Sequence, residues 1–213
     1  MKEITRILTL FLPLLFTLPT FAQDTYNGSF ESLNNDGETP HKWFLGRSPS
    51  YQTKLDSTTK KSGKYALSLG ASQVDGPNEF GVISTSLPGD YEAKTIELRG
   101  FMKTEDVEGW CGLWLRLDGE ERGSNFGFDN MQKRNIHGTN EWQEYRIELK
   151  FKKEVHQVVF GGLLIGTGKI WLDDFEILFD GKPVSETPKR IIEKKPAQLD
   201  TEFDEGSNIE IGE

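Results

Sequence analysis

Ile170-Trp-Leu-Asp-Asp-Phe-Glu-Ile177 reads as an alternating strand that closes on paired carboxylates, Asp173 and Asp174. Near the other end of the chain, Asn27-Gly-Ser-Phe-Glu31 reads as a short turn and strand. Together they predict a β-sandwich whose first and last strands lie side by side. Such a layout points to an exported binding module rather than a self-sufficient enzyme.

Between these ends, period-two alternation dominates and helical periodicity is absent. Strands are predicted at Tyr51–Leu55, Tyr65–Leu69, Gly81–Ser86, Lys94–Lys103, Gly112–Asp118, Asn125–Asp129, Gln143–Leu149, Gln157–Leu164 and Lys169–Leu178. Turn residues separate them, among them Asp118-Gly119, His137-Gly138 and Gly166-Thr-Gly168. Short strands at this spacing predict an all-β antiparallel sandwich or jelly roll over residues 23–184.

The flanks differ in composition. Lys2 and Arg6 precede the apolar run Ile7–Leu18, and Thr20-Phe21-Ala22 offers a small-x-small cleavage site. The run is short for a membrane span and is broken by Pro13 and Pro19, so residues 1–22 are expected to be a cleavable signal peptide. No membrane span is then expected after cleavage, and the localisation is periplasm, cell surface or medium. The formal net charge of −9 repels phosphate backbones and argues against nucleic acid as a partner. Cys111, the one cysteine, shares its parity with Leu113, Leu115 and Leu117 and is expected in the core, without a disulfide. From Ser185 the chain turns charged and proline-bearing and ends in an acidic stretch. Residues 185–213 therefore read as a flexible linker or tail.

Several pieces, taken in order, carry a family resemblance. They are Asn27-Gly-Ser-Phe-Glu31, Lys61-Ser-Gly-Lys-Tyr-Ala-Leu-Ser-Leu69, Gly112-Leu-Trp-Leu-Arg-Leu-Asp-Gly119, Phe128-Asp-Asn-Met-Gln132, Gly138-Thr-Asn-Glu-Trp-Gln-Glu-Tyr145 and Gly168-Lys-Ile-Trp-Leu-Asp-Asp174. Over residues 26–180 the chain resembles the galactose-binding-like jelly roll of the carbohydrate-binding-module type. It resembles most the version found ahead of Bacteroidetes-type tail-specific serine peptidases and erythromycin-esterase-like domains. Leu199-Asp-Thr-Glu-Phe-Asp-Glu-Gly-Ser207 resembles the junction before such a catalytic domain. The resemblance implies a glycan ligand, a downstream catalytic domain as partner, and a structural Ca²⁺ where the first strand meets the last. Glu31 and Asp174 match that calcium position, with carbonyls near Ser62–Lys64.

A second constellation comes from the residues themselves. Trp114, Arg116 and Asp118 have the opposite parity to Leu113, Leu115 and Leu117, so they share the face away from the core. An exposed indole beside a guanidinium and a carboxylate suits a sugar ring or another small polar ligand, with Asp129 and Asn130 approaching from the next strand. The alternative is an internal Arg116–carboxylate pair with Trp114 packed under a loop. Trp43, Trp142 and Trp171 are expected in packing, and Trp110 at the rim of a ligand site. No Gly-x-Ser-x-Gly, His-Glu-x-x-His or P-loop sequence is present, so no catalytic residue is assigned.

Overall fold

The computed structural model of the chain describes residues 25–76 and 79–191. In chain order its strands are β1 (Phe44–Leu45), β2 (Gln52–Asp56), β3 (Ala66–Ala71), β4 (Phe80–Pro88), β5 (Thr95–Asp118), β6 (Asn125–Asp129), β7 (Ile136–Lys150), β8 (Gln157–Phe179) and β9 (Lys182–Pro183). Among the described residues there is no α-helix, only two 3-10 turns at Gln132–Arg134 and Val184–Glu186. No helix there is long and apolar enough to cross a membrane. The expected signal peptide, 1–22, and the acidic stretch beyond Ile191 lie outside the described residues.

Two strands organise everything else. β5 and β8 pair antiparallel along nearly their whole length, from Ile96↔Phe179 to Asp118↔Gln157. Both fold over near their middles, where the register shifts between Glu105 and Glu108. The result is one sheet doubled into two layers. The first layer runs β1, β4, the first half of β8, the second half of β5, then β6. The second runs β2, β3, the second half of β8, the first half of β5, then β7. The layers face one another: a Cβ built at Gly162 would lie 2.3 Å from Leu172 Cδ1, ten residues on along the same strand. This is the antiparallel jelly-roll sandwich expected from the alternation.

The fold corrects the sequence reading at the bend. Gly166-Thr-Gly168 and His137-Gly138 are not hairpin turns but points where continuous strands bend around the sandwich. Gly166 has φ +84°, and its ideal Cβ would sit 1.9 Å from the Glu108 carbonyl oxygen, so any side chain meets backbone. A turn and a bend call for the same glycine, which is why the sequence did not separate them.

Ile83, Leu113, Leu115, Leu117, Val158 and Phe160 from the first layer pack against Leu67, Leu98, Met102, Leu172, Phe175 and Ile177 from the second. Cys111 is fully buried, and burial pushes its thiol up to about 12, far from any nucleophilic role at neutral pH. The Asn27–Glu31 motif forms turns rather than a strand, but it does close on the last long strand. Phe175 N–H donates to the Gly28 carbonyl (2.9 Å), and Ile177 N–H to the Tyr26 hydroxyl (2.9 Å). Tyr26, Phe30 and Trp43 then plug one end of the core against Phe160 and Phe175.

Residues 185–190, expected to open the linker, are mostly exposed but are hydrogen-bonded to the sandwich. Lys189 bridges to Tyr91, Arg190 N–H donates to the Asp90 carbonyl (2.6 Å), and the Arg190 guanidinium caps the carbonyls of Gly89, Lys153 and Val155.

Candidate functional site

The outward face of the first layer carries the site. Register sets it out in rungs across β4, β8 and β5, each a strand step of two residues apart. Phe80, Ile165 and Trp110 form the first rung, and Val82, Leu163 and Gly112 the second. Ser84, Gly161 and Trp114 form the third. Ser86, Val159 and Arg116 form the fourth, which Phe128 of β6 extends. Pro88, Gln157, Asp118 and Asn125 form the last.

The first four rungs enclose a groove of about 530 Å³. Phe80 on β4 and Phe128 on β6, each about half exposed (53%), stand as opposite walls. Trp110, Trp114, Leu163 and Ile165 contribute to the floor, and Asn130 closes one side. Gly112 makes that closure possible, since a Cβ there would lie 2.8 Å from Met131 Cβ. Beyond the fourth rung lies a second, polar cavity of about 540 Å³, lined by Arg116, Asp118, the loop 119–124, Asn125 and Gln157. Arg116 belongs to both. Its guanidinium grips Asp118 in a fork, Nε to Oδ1 at 2.8 Å and Nη2 to Oδ2 at 2.9 Å, and stands 5.9 Å from the Trp114 ring.

The structure places Trp114, Arg116 and Asn130 on one groove, and Asp118 at its polar end. Part of the alternative reading is also realised, since Arg116 pairs internally with Asp118 and Trp114 is packed. Trp114 faces outward as the parity requires, yet it is only 8% exposed, because the outward face is a walled groove rather than an open sheet. Its indole N–H is buried without a hydrogen-bond partner. Asp129 is not brought to the groove. It pairs with Leu115, so it has the inward parity; its carboxylate accepts from Met131 N–H (2.8 Å) and lies 3.6 Å from Arg134.

The sequence reading missed Phe80, Val82, Phe128, Leu163 and Ile165. A signal was present. Val158-Val-Phe-Gly-Gly-Leu-Leu-Ile165 is a continuous apolar run without polar alternation, the pattern of a strand covered on both faces.

Glu31 and Asp174, the residues matched to calcium, meet through the loop 61–65. Glu31 Oε1 accepts from Lys64 N–H (2.7 Å) and Tyr65 N–H (3.2 Å), and Asp174 Oδ1 accepts from the Ser62 hydroxyl (2.9 Å). Neighbouring Asp173 is fully buried and accepts from the N–H groups of Lys61, Ser62 and Asp174. Ca²⁺ needs about six to eight converging oxygens. Here hydrogen-bond donors converge on the carboxylates instead, and among the described residues no group of three or more His, Cys, Asp or Glu gathers where an ion can sit.

The same junction makes a pH prediction. Burial, and secondarily the charge of Asp174, push the Asp173 carboxyl up to about 6. A carboxylate raised in the folded state stabilises fully below its ordinary value and loses that contribution as pH rises through 6. Asp174→Asn removes the second cause, keeps an acceptor for Ser62, and suits the φ of +50° at this position, which asparagine tolerates. The variant is expected to gain on the order of 1 kcal/mol over the parent at pH 7.5 and nothing near pH 4. Urea denaturation of both proteins across that range reads the difference, and EDTA is expected to leave both melting temperatures unchanged. A gain that persists at pH 4 would remove Asp173 as its cause.

No protein-family model matches the chain. An uncharacterised HTH-type transcriptional regulator of Bacillus subtilis (strain 168), YbfP, is 29% identical over 165 residues, which cover 75% of this chain and 56% of the regulator. The chain thus spans about half the length of that relative. A helix-turn-helix needs two helices, and the described residues contain none. Among solved structures, the enzymatically active domain of bacteriophage CBA120 tailspike protein 4 aligns at 10% identity with a TM-score of 0.52. That alignment covers 72% of this chain and 21% of that one. The CBM22-1 xylan-binding domain of Paenibacillus barcinonensis Xyn10C aligns at 14% identity with a TM-score of 0.46, covering 71% and 91%. At these identities the likeness concerns fold alone. The fold itself, an antiparallel jelly-roll sandwich, is read from the strand register.

Proposed function

We propose that this chain is a non-catalytic binding module that holds carbohydrate in the groove across β4, β8, β5 and β6. One observation carries the reading: four aromatic rings, Phe80, Trp110, Trp114 and Phe128, surround a groove that opens toward the Arg116–Asp118 fork. Sugar rings combine apolar C–H faces with hydroxyl rims, and aromatic walls with a few fixed polar groups recognise both. The family resemblance of the sequence supports the same ligand class. In this reading the module is exported and acts as a targeting or accessory domain, with peptidase or esterase chemistry supplied downstream. The likeness to YbfP favours a second setting, in which the same sandwich is the ligand-sensing part of a regulator.

The test is retention on a panel of soluble polysaccharides in native gels, followed by titration calorimetry on whichever retards the protein. Trp114 is packed, so replacing it disturbs the fold as well as the groove; the informative variants are Trp110→Ala and Phe128→Ala. Each is expected to weaken binding at least tenfold while moving the melting temperature by only a few degrees. Retention untouched by both substitutions would take the ligand out of this groove.

A further inference from the structure

The groove is graded from end to end. Its first two rungs offer Phe80, Ile165 and Trp110, then Leu163, with no charged side chain and no hydroxyl. Its far end offers the Arg116–Asp118 fork and adjoins, at Arg116, a cavity whose lining is polar. Rungs lie about 6.6 Å apart along the strands, so the gradient extends over about 26 Å from the first to the last. That exceeds one sugar ring several times over.

From this gradient we infer that the ligand is a sugar bearing an apolar substituent, an alkyl or acyl chain. The chain lies along the Phe80–Trp110 end and the hydroxyls at the Arg116–Asp118 end. The inference rests on the groove being the binding site proposed above. The reasoning is one of mismatch. A hydroxyl-covered ring seated on the first rungs meets few polar groups, Asn130 beside Gly112 among them, and leaves most of its hydroxyls without partners, whereas a hydrocarbon chain there loses nothing. At the other end the order reverses: the carboxylate of Asp118, the guanidinium of Arg116 and the amides of Gln157 and Asn125 can satisfy hydroxyls but gain nothing from hydrocarbon. The Trp114 ring lies on the third rung, between the two halves, where sugar and chain would join.

The experiment uses methyl, hexyl and octyl β-glucosides and β-galactosides, each below its micelle concentration, with octylphosphocholine as a chain lacking sugar. Each buried methylene strengthens binding by a factor of about four. From hexyl to octyl the affinity is therefore expected to rise at least tenfold for one of the two sugars. Octylphosphocholine is expected to bind at least tenfold more weakly than that octyl glycoside. Phe80→Ala, at a half-exposed position that the fold does not need, is expected to shrink the chain-length increment severalfold. If methyl and octyl glycosides bind equally, and Trp110→Ala weakens both, the groove is a plain sugar cleft; the inference falls and the proposed function stands. Equal binding of octylphosphocholine and octyl glycoside makes the groove a general apolar surface and overturns the inference. If nothing in the series binds while a polysaccharide of the panel does, the inference falls and the proposed function stands; if binding ignores both Phe80 and Trp110, inference and proposed function fall together.

Discussion

Gly166→Ala is expected to cost about 4 kcal/mol or more, enough to leave a marginal protein largely unfolded near body temperature. Two effects add at this position. The backbone sits at φ +84°, which an L side chain adopts only under strain of about 1–2 kcal/mol. The new methyl would also lie 1.9 Å from the Glu108 carbonyl oxygen. That oxygen belongs to the partner strand at the very bend it shares with β8, so neither strand can move aside without opening the fold between the layers. A control separates strain from collision. Gly123 has φ +88° but nothing within 4 Å of its ideal Cβ, so Gly123→Ala should cost only about 1 kcal/mol. Urea titrations of the two variants read the difference. Equal losses would mean that backbone strain alone acts at Gly166 and that the bend yields to a methyl group.

That bend also marks where the sequence stopped being informative. Alternation located the strands well: Asn125–Asp129 matches β6, and the leucines of Gly112–Asp118 turn inward as their parity requires. Alternation is a local signal, however, and a glycine pair looks the same whether the chain reverses there or bends and continues. Lys94–Lys103 and Gly112–Asp118 therefore looked like two strands, although Thr95–Asp118 is one. The distinction depends on which distant strand takes up the hydrogen bonds, and here β8 accompanies β5 past the bend.

The site was legible to the same degree. Parity put Trp114, Arg116 and Asp118 on one outward face, because facing follows from counting residues along a single strand. It could not show that Phe80 and Phe128 rise on either side, since they arrive on β4 and β6 by register. For the same reason Trp114 read as exposed. Asp129 failed by a count of one: alignment of β6 against β5 sets it opposite Leu115, not Arg116. A shift of one residue exchanges the faces of a strand.

Trp43→Ala is expected to remove about 4 kcal/mol of stability without changing the groove. The indole is buried (6% exposed) and touches three other rings, with centroids 4.8 Å from Phe30, 5.1 Å from Phe175 and 6.1 Å from Phe160. Its N–H also donates to the Asn27 carbonyl at 2.9 Å, tying the amino-terminal turn to the core. Alanine empties the site and leaves that carbonyl with Phe30 N–H (3.2 Å) as its remaining donor, so both losses fall on the plug that closes one end of the sandwich. Trp43→Phe keeps most of the ring contacts and forfeits the hydrogen bond, and should cost only about 1–2 kcal/mol. Trp43 packs on the inner side of the layers, whereas the groove lies on the outer face of the first layer. Ligand affinity measured well below the melting temperature should therefore stay within about twofold of the parent for both variants, since the two sites share no partner. Should Trp43→Ala bind tenfold more weakly while still fully folded, the two faces of the first layer are coupled, and the groove depends on the plug for its shape.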